Sequence, residues 1–199
     1  MDAIEAMETC SAARYLRPDP VPQELIERVI YAATRASSPG NSQHWDFVVV
    51  RNPETKRKIR DLLAPRFKEM GVGVSPGGTV TSRMIAGAVH LAETLEQVPA
   101  IIFICGPVAY PPNAPMEQFV WSALYPAGQN LIVAARSLGL GTVFTTFHMF
   151  IENELHELLG VPKEIKFGVM VPIGWPQKDF VKVKRKPVGN VIHWDKWSD

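Results

Sequence analysis

The stretch YPAGQNLIVAARSLGLGTVFTTFH, residues 125–148, decides how the rest of the chain is read. Between Gln129 and Leu138, the apolar Leu131, Ile132, Ala134, Ala135 and Leu138 recur on nearly every side of a helix. Only Gln129, Asn130, Arg136 and Ser137 interrupt them, so this helix is expected to be buried on most of its faces. Gly139 and Gly141 end it, because glycine adopts the left-handed conformation that a helix C-terminus often needs. Thr142-Val143-Phe144-Thr145-Thr146-Phe147 is β-branched or aromatic throughout and predicts a strand. A buried helix turning tightly into a polar-edged strand can hold a flat ligand. The same pattern also serves as plain core, and the flanking segments have to decide.

Working back toward the N-terminus, Met116 to Leu124 leads into the central helix, and Ala100 to Cys105 reads as a strand. A helix is predicted from about Arg83 to Gln97. Residues 71–82, GVGVSPGGTVTS, are glycine-rich and unpatterned and read either as a lid or as a connector. Thr55 to about Met70 is an amphipathic helix capped by Asn52-Pro53-Glu54, with Lys56, Arg57, Lys58 and Arg60 on an exposed basic face. Asp46 to Val50 is a strand, and Ser37 to Gln43 carries turn residues. Gln23 to about Arg35 places Leu25, Ile26, Val29, Ile30, Ala32 and Ala33 on one helical face. Pro18, Pro20 and Pro22 force an extended run before it. Residues 2–13 form a short helix candidate with Ile4 and Met7 on one side.

Beyond the central stretch, Glu152 to Leu159 is a short helix closed by Gly160, and Phe167 to Ile173 is a strand. Residues 174–190 are basic and proline-bearing. Val191, Ile192, Trp194 and Trp197 are too apolar to leave in water and are expected to pack on the chain's own core or on a second subunit. Helices and strands alternate without a strict strand-helix-strand period, which predicts one α+β layered domain over residues 1–199.

Composition narrows the function. At 199 residues, 46% hydrophobic and 21% charged, the chain supports one substantial core. A net charge of +1 argues against general attraction to nucleic acid. No apolar run approaches the roughly 20 residues of a membrane span. The start, MDAIEAMETCSAARYL, lacks the basic n-region of a signal peptide, and Cys10 and Cys105 read as free thiols in a reducing compartment, so a cytoplasmic address is expected. His90, His148 and His156 are too far apart for a zinc motif, His44 and His193 are isolated, and no metal site is expected. There is no G-x-G-x-x-G in a strand-turn-helix context, no G-x-x-x-x-G-K-[ST] loop and no G-x-S-x-G elbow. Phosphate binding would then fall to Arg14 and Arg17 early and to Lys182, Lys184, Arg185 and Lys186 late. Those residues serve equally as a solvated basic surface.

Three separated segments resemble the FMN-dependent nitroreductase family in order and spacing. They are Arg14 to Pro22 with its following helix; ASSPGNSQHWDFVVV at 36–50; and the run from Gln129-Asn130 through Gly139-Leu140-Gly141 and Thr145-Thr146 to Ile173-Gly174-Trp175-Pro176 and Arg185-Lys186-Pro187-Val188. Val191 to Asp195 is similar to one branch of that family. The resemblance implies a three-layer sandwich, a central, mainly antiparallel sheet flanked by helices, and an intertwined homodimer with FMN at the subunit interface. It implies that Arg14, beside Tyr15, and Arg185, helped by Lys184, hold the FMN phosphate. Ser38 and Asn41, supported by Gln43, would approach the cofactor from the partner subunit. Phe144 to Thr146 would line the isoalloxazine, with Thr145 or Thr146 near N5.

Three departures bear on affinity and substrate choice. Cys10-Ser11-Ala12 stands where the family often has Arg-Arg-Ser, Ser37 replaces a proline, and His44 replaces the proline before Trp45. The implied activity is NAD(P)H-dependent electron transfer through flavin N5 to a small aromatic or conjugated acceptor: a nitroarene, quinone, enone or halogenated aromatic. The flavin carries that chemistry, so no protein acid, base or nucleophile is required, and Phe67, Met84, Trp121 and Phe147 are candidate pocket walls. The alternatives are a flavin- or ligand-binding protein of the same fold without turnover, and a structural dimer that has lost FMN. NADH and NADPH are not distinguished.

Overall fold

Alternation along residues 100–107 sorts the core into two halves. Ile101, Phe103 and Cys105 face one side of a sheet, and Ala100, Ile102 and Ile104 face the other. The computed structural model describes residues 1–69 and 80–197. Its elements in chain order are α1 (Ala3–Thr9), β1 (Leu16–Arg17), α2 (Gln23–Ala33), β2 (Asp46–Val50), α3 (Pro53–Glu69), α4 (Val80–Glu93), β3 (Ala100–Pro107), α5 (Glu117–Ser137), β4 (Gly141–Thr142), α6 (Glu152–Leu159) and β5 (Ile165–Pro176).

All strand pairs are antiparallel, in the order β1-β5-β3-β2. β4 also pairs with β5. Because Ile173 faces Ala100 of β3 and Thr142 of β4, these two strands lie on opposite edges of β5. A register shift at Ile104/Cys105 swaps faces along β5, so Phe167 joins one half of the core and Val169 the other. One half is closed by α3, α4 and α6 through Ile59, Leu63, Leu91 and Leu155; the other by α2 and α5 through Ile26, Val29, Leu124 and Leu131. The fold is the expected α+β three-layer sandwich. Burying each such large apolar side chain is worth on the order of 2–3 kcal/mol. Among the described residues no helix is long and apolar enough to cross a membrane.

Several expectations change. The central helix begins at Glu117 and runs 21 residues through Pro126. It buries one stripe, Val120, Ala123, Leu124, Ala127, Gly128, Leu131 and Ala135, while Ile132 and Ala134 are half-covered and Gln129 is exposed. The strand expected over 142–147 stops at Thr142, and only Thr145 pairs again, with Met170, before a 3-10 turn at Phe147–Phe150. The N-terminal helix ends at Thr9, and Ile4 and Met7 are exposed. Lys56 does not lie on an exposed face. It is buried, and its ammonium donates to the Val98 carbonyl. The glycine-rich lid or connector, apart from its last residues in α4, lies outside the described residues.

Candidate active site

The site is organised by the extended segment Ser11 to Leu16, and Pro18, Pro20 and Pro22 keep the residues just after it extended as well. One side of this segment is bonded to the end of the central stretch: Ala12 bridges Thr142, and the Ala13 amide donates to the Thr142 carbonyl at 2.9 Å. The C-terminal tail runs back along the other side. Leu16 pairs with Pro176, the Gln177 amide donates to Tyr15 at 3.0 Å, and the Val183 amide donates to Glu8 at 2.8 Å. Residues 8–16, the end of β4 at Thr142 and the tail as far as Val183 are therefore neighbours, although far apart in the chain.

Arg14 is half-buried, and its stem lies across α4. A Cβ added at Gly87 would sit 2.9 Å from Arg14 Cδ. Among the described residues no carboxylate pairs with its guanidinium. Burial pulls its pKa down, opposed by the neighbouring Tyr15. Tyr15 stacks on His90 of α4 at 4.4 Å, and Lys178 Nζ lies 4.7 Å from the same ring's centre. A pocket of about 170 Å³ opens between Ser11–Tyr15 and Pro176–Val181, with both Lys178 and Asp179 on its tail side. An unpaired, partly desolvated guanidinium beside a hydroxyl and a basic tail is suited to an anion. Lys184 and Arg185 are exposed; Arg185 Nη1 donates to the Lys184 carbonyl at 3.0 Å.

At the other end, Thr145 is closed within the chain. Its amide donates to Met170 at 3.1 Å, its carbonyl accepts from Met170 at 3.0 Å, and its Oγ1 accepts the Phe147 amide at 3.0 Å. Thr146 is exposed, and among the described residues only its carbonyl is engaged, accepting from the Met149 amide at 3.0 Å. Phe144 is also exposed. It sits over Gly128, where a Cβ would meet its ring at 2.9 Å, and its edge meets Tyr125 at 6.0 Å. Trp121 stacks on Tyr125 at 5.9 Å, extending the aromatic row along α5. Phe67 is buried, edge-on to Phe147 at 4.8 Å, and Met84 is exposed.

The loop at 37–43 stands apart. Ser38 Oγ accepts the Gln43 amide at 3.0 Å, and Gln43 Nε2 donates to the Asn41 carbonyl at 3.4 Å. Gly40, at φ 58°, is pressed against the Tyr110 ring, 2.6 Å from where a Cβ would be. No hydrogen bond or ring contact among the described residues joins this loop to Arg14, Thr145 or Arg185. His44 is half-buried in the same loop.

Tyr125, Gly87, His90 and Lys178 carry no site reading in the sequence. Trp121 and Tyr125 are four apart on a helix, and Gly87 and His90 three apart, so periodicity could have paired each set. Nothing local announces that α4 carries Arg14 and Tyr15. No group of three or more His, Cys, Asp or Glu among the described residues is placed to hold a metal ion.

An antiparallel sheet between helical layers carries at one end an arginine with no carboxylate partner among the described residues and at the other an exposed aromatic face, an α+β arrangement suited to a flat anionic ligand. The chain belongs to the nitroreductase family: the Nitroreductase family model matches residues 9–175. It is 29% identical to iodotyrosine deiodinase 1 of Mus musculus, over 94% of this chain and 67% of that protein. It is 27% identical to an NADH dehydrogenase of Thermus thermophilus, over 98% of this chain and 96% of that protein. The fold superposes on a crystal structure of oxidized iodotyrosine deiodinase bound to FMN and 3-iodo-L-tyrosine, with a TM-score of 0.79 at 20% identity, covering 98% of this chain and 100% of the other.

Proposed function

We propose that this protein is an FMN-dependent oxidoreductase that uses NAD(P)H to reduce a small aromatic or conjugated acceptor. The observation that carries the reading is the half-buried Arg14 guanidinium, which has no carboxylate partner among the described residues. Its segment is bonded on one side to the strand end leading to Phe144 and Thr146 and on the other to the tail leading to Arg185. Arg14 would clamp the FMN phosphate with two hydrogen bonds, and Lys184 and Arg185 would add charge from the tail. Phe144 would offer an apolar face to the isoalloxazine. Thr146, rather than Thr145, would donate at N5, because Thr146 is exposed while Thr145 is buried with its amide held by Met170. Bound there, FMN supplies hydride and electron transfer that no side chain here could perform. The chain's own task is to orient the ring, exclude water from its face and hold one hydrogen-bond donor at the reacting edge.

The site would be completed by a second copy. The loop bearing Ser38, Asn41 and Gln43 has no hydrogen bond or ring contact with the Arg14 side among the described residues of its own chain, which fits its serving the partner's cofactor. The outer edge of β2 has no strand beside it among the described residues. An open groove of about 600 Å³ runs there, lined by Ile26, Ile30, Val48, Val50 and Leu158. Val191, Ile192, Trp194 and Trp197 are all exposed, and such a tail laid into the partner's groove would cover both surfaces.

Among acceptors, the likeness to iodotyrosine deiodinase 1 supports trying halogenated phenols first, with nitroarenes, quinones and enones after them. The test is the absorbance spectrum of the protein with FMN, before and after NADPH and NADH. Flavin bands that bleach and return on adding a halogenated phenol or nitroarene under argon are expected. Bands that form but never bleach would favour a binding protein, and no retained flavin would overturn the reading.

A further inference from the structure

The tail between Gln177 and Val183 is fastened by contacts of several kinds. Gln177 Nε2 donates to the Leu16 carbonyl at 3.1 Å, Lys178 lies over Tyr15, and Lys182 Nζ pairs with Glu8 at 2.6 Å. Between them, Arg136 of α5 places its guanidinium carbon 3.9 Å from the centre of the Phe180 ring. Immediately beyond this fastened stretch come Lys184 and Arg185.

Arg136 is chemically out of place unless it faces that ring. Its Nε is buried without a hydrogen-bond partner, and no carboxylate pairs with it among the described residues. A buried, unsatisfied guanidinium N–H costs free energy that an arginine free to swing outward would avoid. The π face of Phe180 is the compensation the structure offers, and it works best where water is excluded. The charge also reaches Cys10: burial pushes that thiol's pKa up, and Arg136 pulls it back. Arg136 thus sits beside the Cys10-Ser11 position and grips the tail opposite it.

We propose that Arg136 and Phe180 are positioning residues for the phosphate end of the site: their stack anchors the tail to α5 so that Lys184 and Arg185 are presented alongside the Arg14 segment. This rests on the flavin reading above. It also gives a physical account of how a chain with Cys10-Ser11-Ala12 beside Arg14 still gathers positive charge there. The cations come from the tail, and the tail must be held to deliver them.

The test compares FMN with riboflavin, which carries the same ring without the phosphate. Phe180→Leu keeps an apolar side chain but removes the π face, and should weaken FMN binding about tenfold while moving riboflavin less than about twofold. Arg136→Met should do the same, and Phe180→Trp should restore the wild-type ratio. In the flavin-free protein, Phe180→Leu should also speed tryptic cleavage after Lys182 and Lys184. A purely structural role would weaken both ligands equally. An unchanged FMN-to-riboflavin ratio in Phe180→Leu and Arg136→Met, or no rescue by Phe180→Trp, overturns the proposal. Arg14→Ala separates the two levels. If it leaves the ratio unchanged, the phosphate reading itself fails; if it lowers the ratio while the stack variants do not, only the anchoring role is lost.

Discussion

The two halves of the C-terminal tail end in opposite states. Residues 177–183 are bonded to Tyr15, Leu16 and Glu8 and stacked on Arg136. Residues 188–197 leave Val188, Val191, Trp194 and Trp197 between 58% and 81% exposed. Hydrophobicity alone would have ranked them the other way, since the second half is the more apolar. What separates them is backbone pairing. The first half finds an extended partner in its own chain, while among the described residues the second pairs with no strand, and neither does the outer edge of β2. Thr145 and Thr146 repeat the contrast at the scale of one residue: the first is closed by its own chain and the second is open.

The largest expected effect breaks this comparison at the tail. Ending the chain after Pro187 should raise the dimer dissociation constant by about three orders of magnitude or more, as loss of several buried aromatic anchors does. Sedimentation velocity reads it. A truncated protein that stays dimeric would mean that the open half is not an interface element.

The fold was largely legible from pattern. The strand at Asp46–Val50 and the helix at Glu152–Leu159 have the boundaries that apolar runs and Gly160 indicate. The run 142–147 misled because its β-branched residues suit a strand, yet Thr145 Oγ1 captures the Phe147 amide and turns the chain. Lys56 misled for a different reason. It sits three residues before Ile59 and seven before Leu63, on the buried stripe of α3, where a long side chain can reach the Val98 carbonyl. Of the candidate site, Arg14, Arg185 and the threonines were marked by family resemblance. Their neighbours Gly87, His90 and Arg136 come from helices whose approach no local pattern records.

A second prediction concerns the closed interior. His148, 2% exposed behind Thr146, has its pKa lowered to about 4 by burial, against a contribution from the Phe167 backbone that raises it. An unfolded histidine titrates near 6.5 and so takes up protons first. Stability is therefore complete above about pH 6.5 and falls as pH drops toward 4, by up to about 3 kcal/mol. His148→Phe should flatten that part of the Tm-against-pH curve. A curve of unchanged slope would place the acid sensitivity elsewhere.

Arg14 and Arg185 contrast a half-buried cation with an exposed one. Arg14→Ala should cost about 2 kcal/mol of FMN binding, and Arg185→Ala about 1 kcal/mol with stronger salt dependence, because solvent screens the exposed charge. Flavin retained after gel filtration at low and high salt measures both. Equal losses would erase the distinction between the two sites.

The smallest effect is the sharpest test of closed against open. Thr146→Val removes a hydroxyl that is free to meet flavin N5, and it should slow or retune flavin reduction severalfold, about 1 kcal/mol, with FMN affinity and Tm nearly unchanged. Thr145→Val removes an oxygen that accepts the Phe147 amide, and it should lower Tm because a part-buried donor loses its partner, while leaving the reduction rate close to wild type because the Thr145 side chain is buried. Stopped-flow reduction beside thermal melts separates the two. If Thr145→Val changes the rate and Thr146→Val changes the melt, the hydroxyl facing the flavin belongs to the residue that the chain has closed. Thr145 can donate its hydroxyl proton while Oγ1 still accepts the Phe147 amide, so what would have to change when FMN binds is the burial of Thr145.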